Sequence, residues 1–279
     1  MDNSNYRVIF SDVDGTLLDK NRELAGVTAR QIQKIASSHK ITFVLVSARM
    51  PEGMRHLYNQ LSVNSPIICY NGALILETLK GGYRAHSILY SNSIDINVTE
   101  NLYNRAKAEN LHFSLFSNNS WFASKNDEWT LREESNTRVK SSICSNMDNH
   151  IRKLKDSGEP IHKLMIMGNP ASIDSFVAYS NRSFEGLVSN YRSKDTYLEI
   201  SPRNSNKAKG CLFLLDRLNI DARNAIAFGD SYNDIEMLRT VGFGIAMGNA
   251  PEEVKYHAKH IAPANTLNGV ATTLVNIFG

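Results

Sequence analysis

Cysteine is scarce in this chain. Its three residues, Cys69, Cys144 and Cys211, are odd in number and widely spaced, and none sits in a Cys-x-x-Cys pair. That argues against a disulfide framework and against the common thiolate zinc and dithiol redox motifs, and it predicts reduced thiols. Long apolar runs are missing as well. No stretch approaches the roughly 20 residues that a membrane-spanning helix needs, and the amino terminus is polar, without the apolar centre of a signal peptide. Charge of one sign is also missing: the formal net charge is +3, and no segment forms the basic platform of a nucleic-acid binder. The eight histidines show no metal-ligand spacing, and no internal repeat or low-complexity tract is present. These absences predict a cytoplasmic protein with neither a membrane nor a nucleic-acid partner. With 279 residues, 42% of them hydrophobic, the chain can bury one large core or two ordinary ones.

What is present is acidic residues at the ends of apolar runs. Val8-Ile9-Phe10 reads as a buried strand, and Asp12-Val13-Asp14-Gly15-Thr16 follows it directly. Alternate side chains of a strand point the same way, so Asp12 and Asp14 leave the strand end on one side, and Gly15 permits a sharp turn. A nucleophile beside an acid/base has that layout; so does an ordinary Asp-Gly turn. Far along the chain the pattern recurs. The run 224–228 reads as a strand, followed by Gly229-Asp230-Ser231-Tyr232-Asn233-Asp234 and the helical spacing of Ile235, Met237 and Leu238. On a helix starting near Ser231, Asp230 and Asp234 could face one pocket with Asn233 beside them. Oxygen donors of this kind suit Mg²⁺. The alternative is an N-cap at Asp230 with Asp234 in the first turn.

Between these clusters, Ser47-Ala48-Arg49 ends the apolar run 41–46, and Lys207 opens an amphipathic stretch through Leu214 and Leu215. Lys207 and Lys209 are two apart, so on a helix only one can face a given pocket. In order, Asp-x-Asp-Gly-Thr, a hydroxyl after a strand, a lysine and Gly-Asp-x-x-Asn-Asp resemble the haloacid dehalogenase (HAD) superfamily of phosphotransferases. Asn71-Gly72-Ala73, Met247-Gly248-Asn249-Ala250 and Glu253-Val254-Lys255 resemble its Cof-type (subclass IIB) branch. Ala48 departs from the pattern, since glycine usually follows the hydroxyl of the second motif.

The resemblance implies Mg²⁺-dependent hydrolysis of a small phosphate monoester, a sugar phosphate or other phosphorylated metabolite. Asp12 would attack phosphorus to form an aspartyl-phosphate, and Asp14 would serve as general acid and then base. Asp12, the Asp14 main-chain carbonyl and Asp230 would hold the metal, with Asp234 ligating directly or through water. Ser47, Lys207 and Asn233 would bind phosphate, Asn71, Gly72, Ala48 and Arg49 the substrate, and Thr16 would brace the loop. Lys207 is chosen over Lys209 because that register puts Leu214, rather than Asp216, at the family's apolar position. Arg49 could equally pair at a helix end, and Asn249 could line the pocket or merely turn the chain; Lys255 and Asn265 carry no assigned role. A phosphomutase using the same intermediate and a non-catalytic phosphometabolite-binding module are the alternatives.

Residues 6–77 alternate strand-like and helical runs, as does the stretch from about 196, where Leu198-Glu199-Ile200 reads as a strand of the same sheet. Together they predict an α/β fold, a Rossmann-like parallel sheet with helices on both faces, in residues 1–82 and 193–279. Residues 83–192 have a different texture and predict an inserted domain, entered near Gly81-Gly82 and left near residues 191–195. The resemblance makes it an α+β cap of the C2B type that sets specificity. Tyr83, Trp121, Phe122 and Trp129 could line it or form its core, and His112, His150 and His162 are read as surface or packing residues.

Overall fold

The computed structural model describes residues 5–279, apart from the Ser193 side chain. In chain order the elements begin with β1 (Val8–Asp12), α1 (Gly26–Ser38), β2 (Thr42–Val46), α2 (Pro51–Leu61), β3 (Ile67–Cys69), β4 (Leu74–Leu76) and β5 (Ile88–Ser91). There follow α3 (Ile96–Ala108), β6 (His112–Ser117), β7 (Ser120–Ala123), α4 (Glu128–Thr137), β8 (Ser142–Ile143), α5 (Met147–Ser157), β9 (Lys163–Met167), α6 (Pro170–Ser183), β10 (Val188–Lys194) and β11 (Tyr197–Pro202). The chain closes with α7 (Lys207–Arg217), β12 (Ala225–Gly229), α8 (Ile235–Thr240), β13 (Phe243–Met247), α9 (Glu252–Tyr256), β14 (His260–Ala262) and α10 (Gly269–Phe278).

These elements fall into two compact units, one of the described residues up to Ala48, Met54–Leu89 and Asn206–Gly279, the other of Arg49–Gly53 and Tyr90–Ser205. The first unit is built on a sheet of order β14-β13-β12-β1-β2-β3-β4-β5. From β14 to β3 all neighbours are parallel, and β4 runs antiparallel to β3. Parallel strands are covered on both faces, which is why β1, β12 and β13 are buried at every residue and read as continuous apolar runs. The covering helices are amphipathic: α1 buries Ala29, Ile32 and Ile35 along one stripe and packs on α10, while α7 packs on α8.

Register decides where chemistry can occur. Ser11 stands level with Phe228 on one side and Leu45 on the other, and Asp12 with Val46, so β1, β2 and β12 end side by side. The chain leaves β1 for β2 on one side and reaches β12 on the other, which makes the β1/β12 boundary a topological switch point, the usual ligand crevice of such sheets.

The second unit has its own sheet, of order β10-β11-β9-β6-β7-β8, antiparallel except at β7–β8. Val98, Leu102, Phe113, Ile151, Leu164 and Phe176 are part of its separate hydrophobic core. Here one expectation fails: Leu198-Glu199-Ile200 does not join the parallel sheet. As β11 it pairs with β9 and β10, and Leu198 and Ile200 enter the second core while Glu199 faces away. Its alternation of buried and less buried residues is the mark of a strand covered on one face, unlike the continuous runs of the parallel sheet. Residues 191–195, read as an exit, lie at the β10–β11 hairpin. Apart from the short piece Arg49–Gly53, the units therefore change over at Leu89/Tyr90 and Ser205/Asn206. Trp121 is buried, as a core residue would be.

Candidate active site

Asp12 ends β1 at 5% exposure, and its Oδ1 accepts a hydrogen bond from Lys207 Nζ at 2.5 Å. Lys207 is 2% exposed and donates a second bond to Asp234 Oδ1 at 2.6 Å. The lysine reaches this place because α7 starts at it. The Asn206 side chain caps that helix by accepting from Lys209 N at 2.8 Å, and Lys207 shares the buried face with Cys211, Leu214 and Leu215. Lys209 is exposed.

A helical segment starts beside Ser231, as the spacing suggested, but its first turn is not α-helical. Tyr232–Asp234 forms a 3₁₀ turn, and α8 follows at Ile235. Ser231 and Asp234 make a reciprocal capping box, in which Asp234 Oδ2 accepts from Ser231 N at 2.9 Å and also from Asp230 N at 3.0 Å. Asp234 is thus both a capping residue and a buried partner of Lys207. Asp230 is fixed by the first motif, since Thr16 Oγ1 donates to its Oδ1 at 2.7 Å. Gly15, at φ +84°, brings its backbone so close that a Cβ there would run into the Asp230 carboxylate.

Carboxylate oxygens of Asp12, Asp230 and Asp234 lie within 4.8 Å of one another. One ammonium therefore faces three acids. Burial pushes the Asp12 carboxyl well above the usual range; Lys207 pulls it down, and Asp234 and Asp230 push it further up. Burial likewise raises Asp230 to about 6, against the Thr16 hydrogen bond and with the help of Asp234. For Lys207, burial disfavours the charge, but Asp12 and Asp234 outweigh it and hold its pKa above the ordinary lysine value. The surplus of negative charge and the all-oxygen donor set fit a hard divalent cation such as Mg²⁺.

The remaining sequence candidates are not among the three clustered acids. Ser47 is buried, its N–H bonded to the Ile68 carbonyl at 3.0 Å and its carbonyl accepting from Asn71 N at 2.9 Å. Asn71 takes a left-handed conformation, and its Oδ1 accepts from Asn233 Nδ2 at 3.2 Å, joining the 71 loop to the 233 loop. Asn233 Oδ1 is buried with no hydrogen-bond partner. Gly72, at φ +93°, sits against the start of α7, where a Cβ would lie 2.5 Å from the Asn206 carbonyl oxygen. Ala48 is half-buried. Arg49 is buried and donates to the Gly53 carbonyl at 3.0 Å in the first turn of α2. Asp14 is partly exposed and pairs with Arg22 at 3.2 Å; its carboxylate is not among the three clustered ones. Sequence reasoning missed Arg22, for which no local signal exists, and Asn206, which its position just before an amphipathic helix could have revealed.

Residues 9–274 match the sequence model of the haloacid dehalogenase-like hydrolases, so the chain belongs to that family, in its Cof-type branch. It is an enzyme, a hydrolase of the phosphatase kind. A protein of Haemophilus influenzae that carries the provisional name of phosphatase is 29% identical over 274 residues, 98% of each chain. The 5-amino-6-(5-phospho-D-ribitylamino)uracil phosphatase YitU of Bacillus subtilis is 24% identical, over 97% of each. A haloacid dehalogenase-like hydrolase from Bacteroides thetaiotaomicron has the same fold, with a TM-score of 0.88 and 26% identity over 98% of this chain and 100% of its own. Among the described residues no helix is long and apolar enough to cross a membrane.

Proposed function

We propose that this chain hydrolyses a small phosphate monoester through an aspartyl-phosphate formed on Asp12, with Asp14 as general acid and base. The observation that carries this reading is the buried Lys207 ammonium between Asp12 and Asp234. A carboxylate meeting a phosphate dianion is strongly opposed: two unit charges about 4 Å apart repel by about 4 kcal/mol at an effective dielectric of about 20. Lys207 offsets part of that repulsion. Asp12, the Asp14 main-chain carbonyl and Asp230 would hold Mg²⁺, which supplies the remaining positive charge to the phosphoryl oxygens. Both Asp234 oxygens already accept hydrogen bonds, which favours its holding Lys207 and metal-bound water over direct ligation.

Asp12 then attacks phosphorus while Asp14, outside the cluster, gives a proton to the departing alcohol; Asp14 next takes a proton from the water that cleaves the acyl-phosphate. The Ser47 hydroxyl and the Asn233 amide serve the phosphate oxygens, and the loop of Asn71 and Gly72 with Ala48 and Arg49 serves the substrate. We further assign substrate selection to the inserted second unit, Tyr90–Ser205, as a C2B cap. The substrate is a small phosphorylated metabolite, in keeping with the phosphoribityl compound named for the Bacillus relative. The free cysteines accord with a reducing cytoplasm.

The test is phosphate release from sugar phosphates, nucleotides, pyridoxal phosphate and flavin mononucleotide, with Mg²⁺ and with chelator. Mg²⁺-dependent release that disappears in Asp12→Asn is expected. Full activity in that variant would refute the covalent scheme, and dependence on a bisphosphate activator would make the enzyme a mutase.

A further inference from the structure

The turn that leaves β1 carries the Asp14 carboxylate and the Asp14 main-chain carbonyl, yet a glycine follows immediately. Gly15 lies in the left-handed region, and a glycine there leaves the neighbouring peptide planes free to rotate unless something holds them. Within the turn, the N–H groups of Leu17 and Leu18 are both tied to the Val13 carbonyl at 3.0 Å, and the Asp14 carboxylate pairs with Arg22 at 3.2 Å. The carbonyls of Gly15 and Leu18 are held from the far end of the sequence.

Asn249, just beyond β13, donates Nδ2 to the Gly15 carbonyl at 2.8 Å. Its Oδ1 accepts from Asn265 N at 2.9 Å, and Asn265, beyond β14, donates Nδ2 to the Leu18 carbonyl at 2.7 Å. Both amide orientations are fixed by these partners, since a carbonyl can only accept and a main-chain N–H can only donate. Only a side chain with a donor and an acceptor at this reach fits position 249. Aspartate lacks the donor and leucine lacks both. The loops that present the two asparagines support each other: a Cβ on Gly248 would lie 2.9 Å from Ala264 N. Within the same turn, Thr16 binds Asp230.

We propose that Asn249 and Asn265 are positioning residues of the active site, a two-amide clamp that fixes the turn Asp14–Leu18 and with it the Asp14 carboxylate and carbonyl. The kinetic half of this inference rests on the phosphatase reading; the structural half does not. Neither asparagine touches the substrate in this scheme, so both act on turnover more than on affinity.

The experiment compares the full-length wild type with Asn249→Ala, Asn265→Ala and the double variant. Hydrogen–deuterium exchange of the peptide covering Asp12–Leu18, without substrate, is expected to quicken about tenfold in each at an unchanged urea midpoint, as when a local restraint alone is lost. With p-nitrophenyl phosphate and Mg²⁺, kcat is expected to fall about tenfold and KM to stay within about twofold, the size usual when the support of a ligating or reacting group is removed. The two amides form one chain, so the double variant should lose no more than the worse single one.

Unchanged exchange in both single variants overturns the clamp whatever the kinetics. Faster exchange with unaltered kcat overturns the positioning role, and a raised KM with kcat kept replaces it by direct substrate contact. Asn249→Asp, which keeps the acceptor and loses the donor, serves if an alanine variant fails to fold, and is expected to give the same pattern. Absence of ester hydrolysis by the wild type would count against the phosphatase reading alone, because exchange still decides the clamp.

Discussion

Removing the Lys207 ammonium leaves Asp12 and Asp234 buried without their shared cation. Breaking a buried pair by deleting one partner costs about 3–5 kcal/mol, because the remaining charge stays uncompensated. Lys207→Met should therefore lower stability by about that amount at neutral pH in chelator, read from urea denaturation, and should abolish turnover. The loss should shrink on acidification, since Asp12 already takes up a proton more readily than an ordinary carboxylate. Lys209→Ala, on the exposed side of α7, should change stability by less than about 0.5 kcal/mol. The reverse ranking would mean that Lys209 faces the acids. The residues of this cluster were legible in the sequence because each stands at the end of a strand or the start of a helix, where short motifs imply direction. The Asp14–Arg22 pair was not, because it depends on how a loop folds back.

Element by element, α7 and the 70–72 turn meet so closely that glycine is required. Gly72 has a positive φ, and an added Cβ would strike the Asn206 carbonyl oxygen at 2.5 Å, a backbone atom that cannot swing aside. Gly72→Ala should cost about 2–3 kcal/mol from strain and overpacking, and it should displace the α7 terminus that holds Lys207. Thermal melts and turnover should fall together, whereas an unaltered Tm would show that the turn can relax. Asn71-Gly72 reads as an ordinary turn in sequence, and only the neighbouring helix reveals the contact. The same limit explains β11. Its period-2 pattern was visible, but whether it belonged to a parallel or an antiparallel sheet depended on β9 and β10, one of which, β10, is polar and carries little hydrophobic signal. Strands of the parallel sheet were legible because burial on both faces writes them as unbroken apolar runs.

Across the whole molecule, two hydrophobic cores in one chain carry titrating groups of opposite effect. In the second unit, His162 is fully buried; its Nδ1 accepts from Asn118 N at 3.1 Å, so Nε2 bears the proton and faces Ser91 Oγ at 3.0 Å. Burial lowers its pKa to about 4. The unfolded chain, with an ordinary histidine near 6.5, binds the proton first, so the second unit loses stability as pH falls from about 6.5 to about 4, by roughly 3 kcal/mol. In the first unit Asp230 behaves the other way. Its folded value of about 6 lies above the unfolded one near 3.8, so the folded state binds the proton more tightly. Without a cation the first unit then loses stability as pH rises from about 4 to about 6, and Mg²⁺ should restore it above that window. Both tryptophans, Trp121 and Trp129, lie in the second unit, so their fluorescence follows that unit alone. In chelator, the tryptophan melt should move to lower temperature between pH 7 and pH 4.5, and His162→Gln should flatten that shift. Added Mg²⁺ should raise the far-ultraviolet melt more at pH 7.5 than at pH 5, an asymmetry that Asp230→Asn should remove. Equal Mg²⁺ stabilisation at both pH values would mean that the buried acids do not hold the cation, because cation and protons would then not be competing for the same carboxylates.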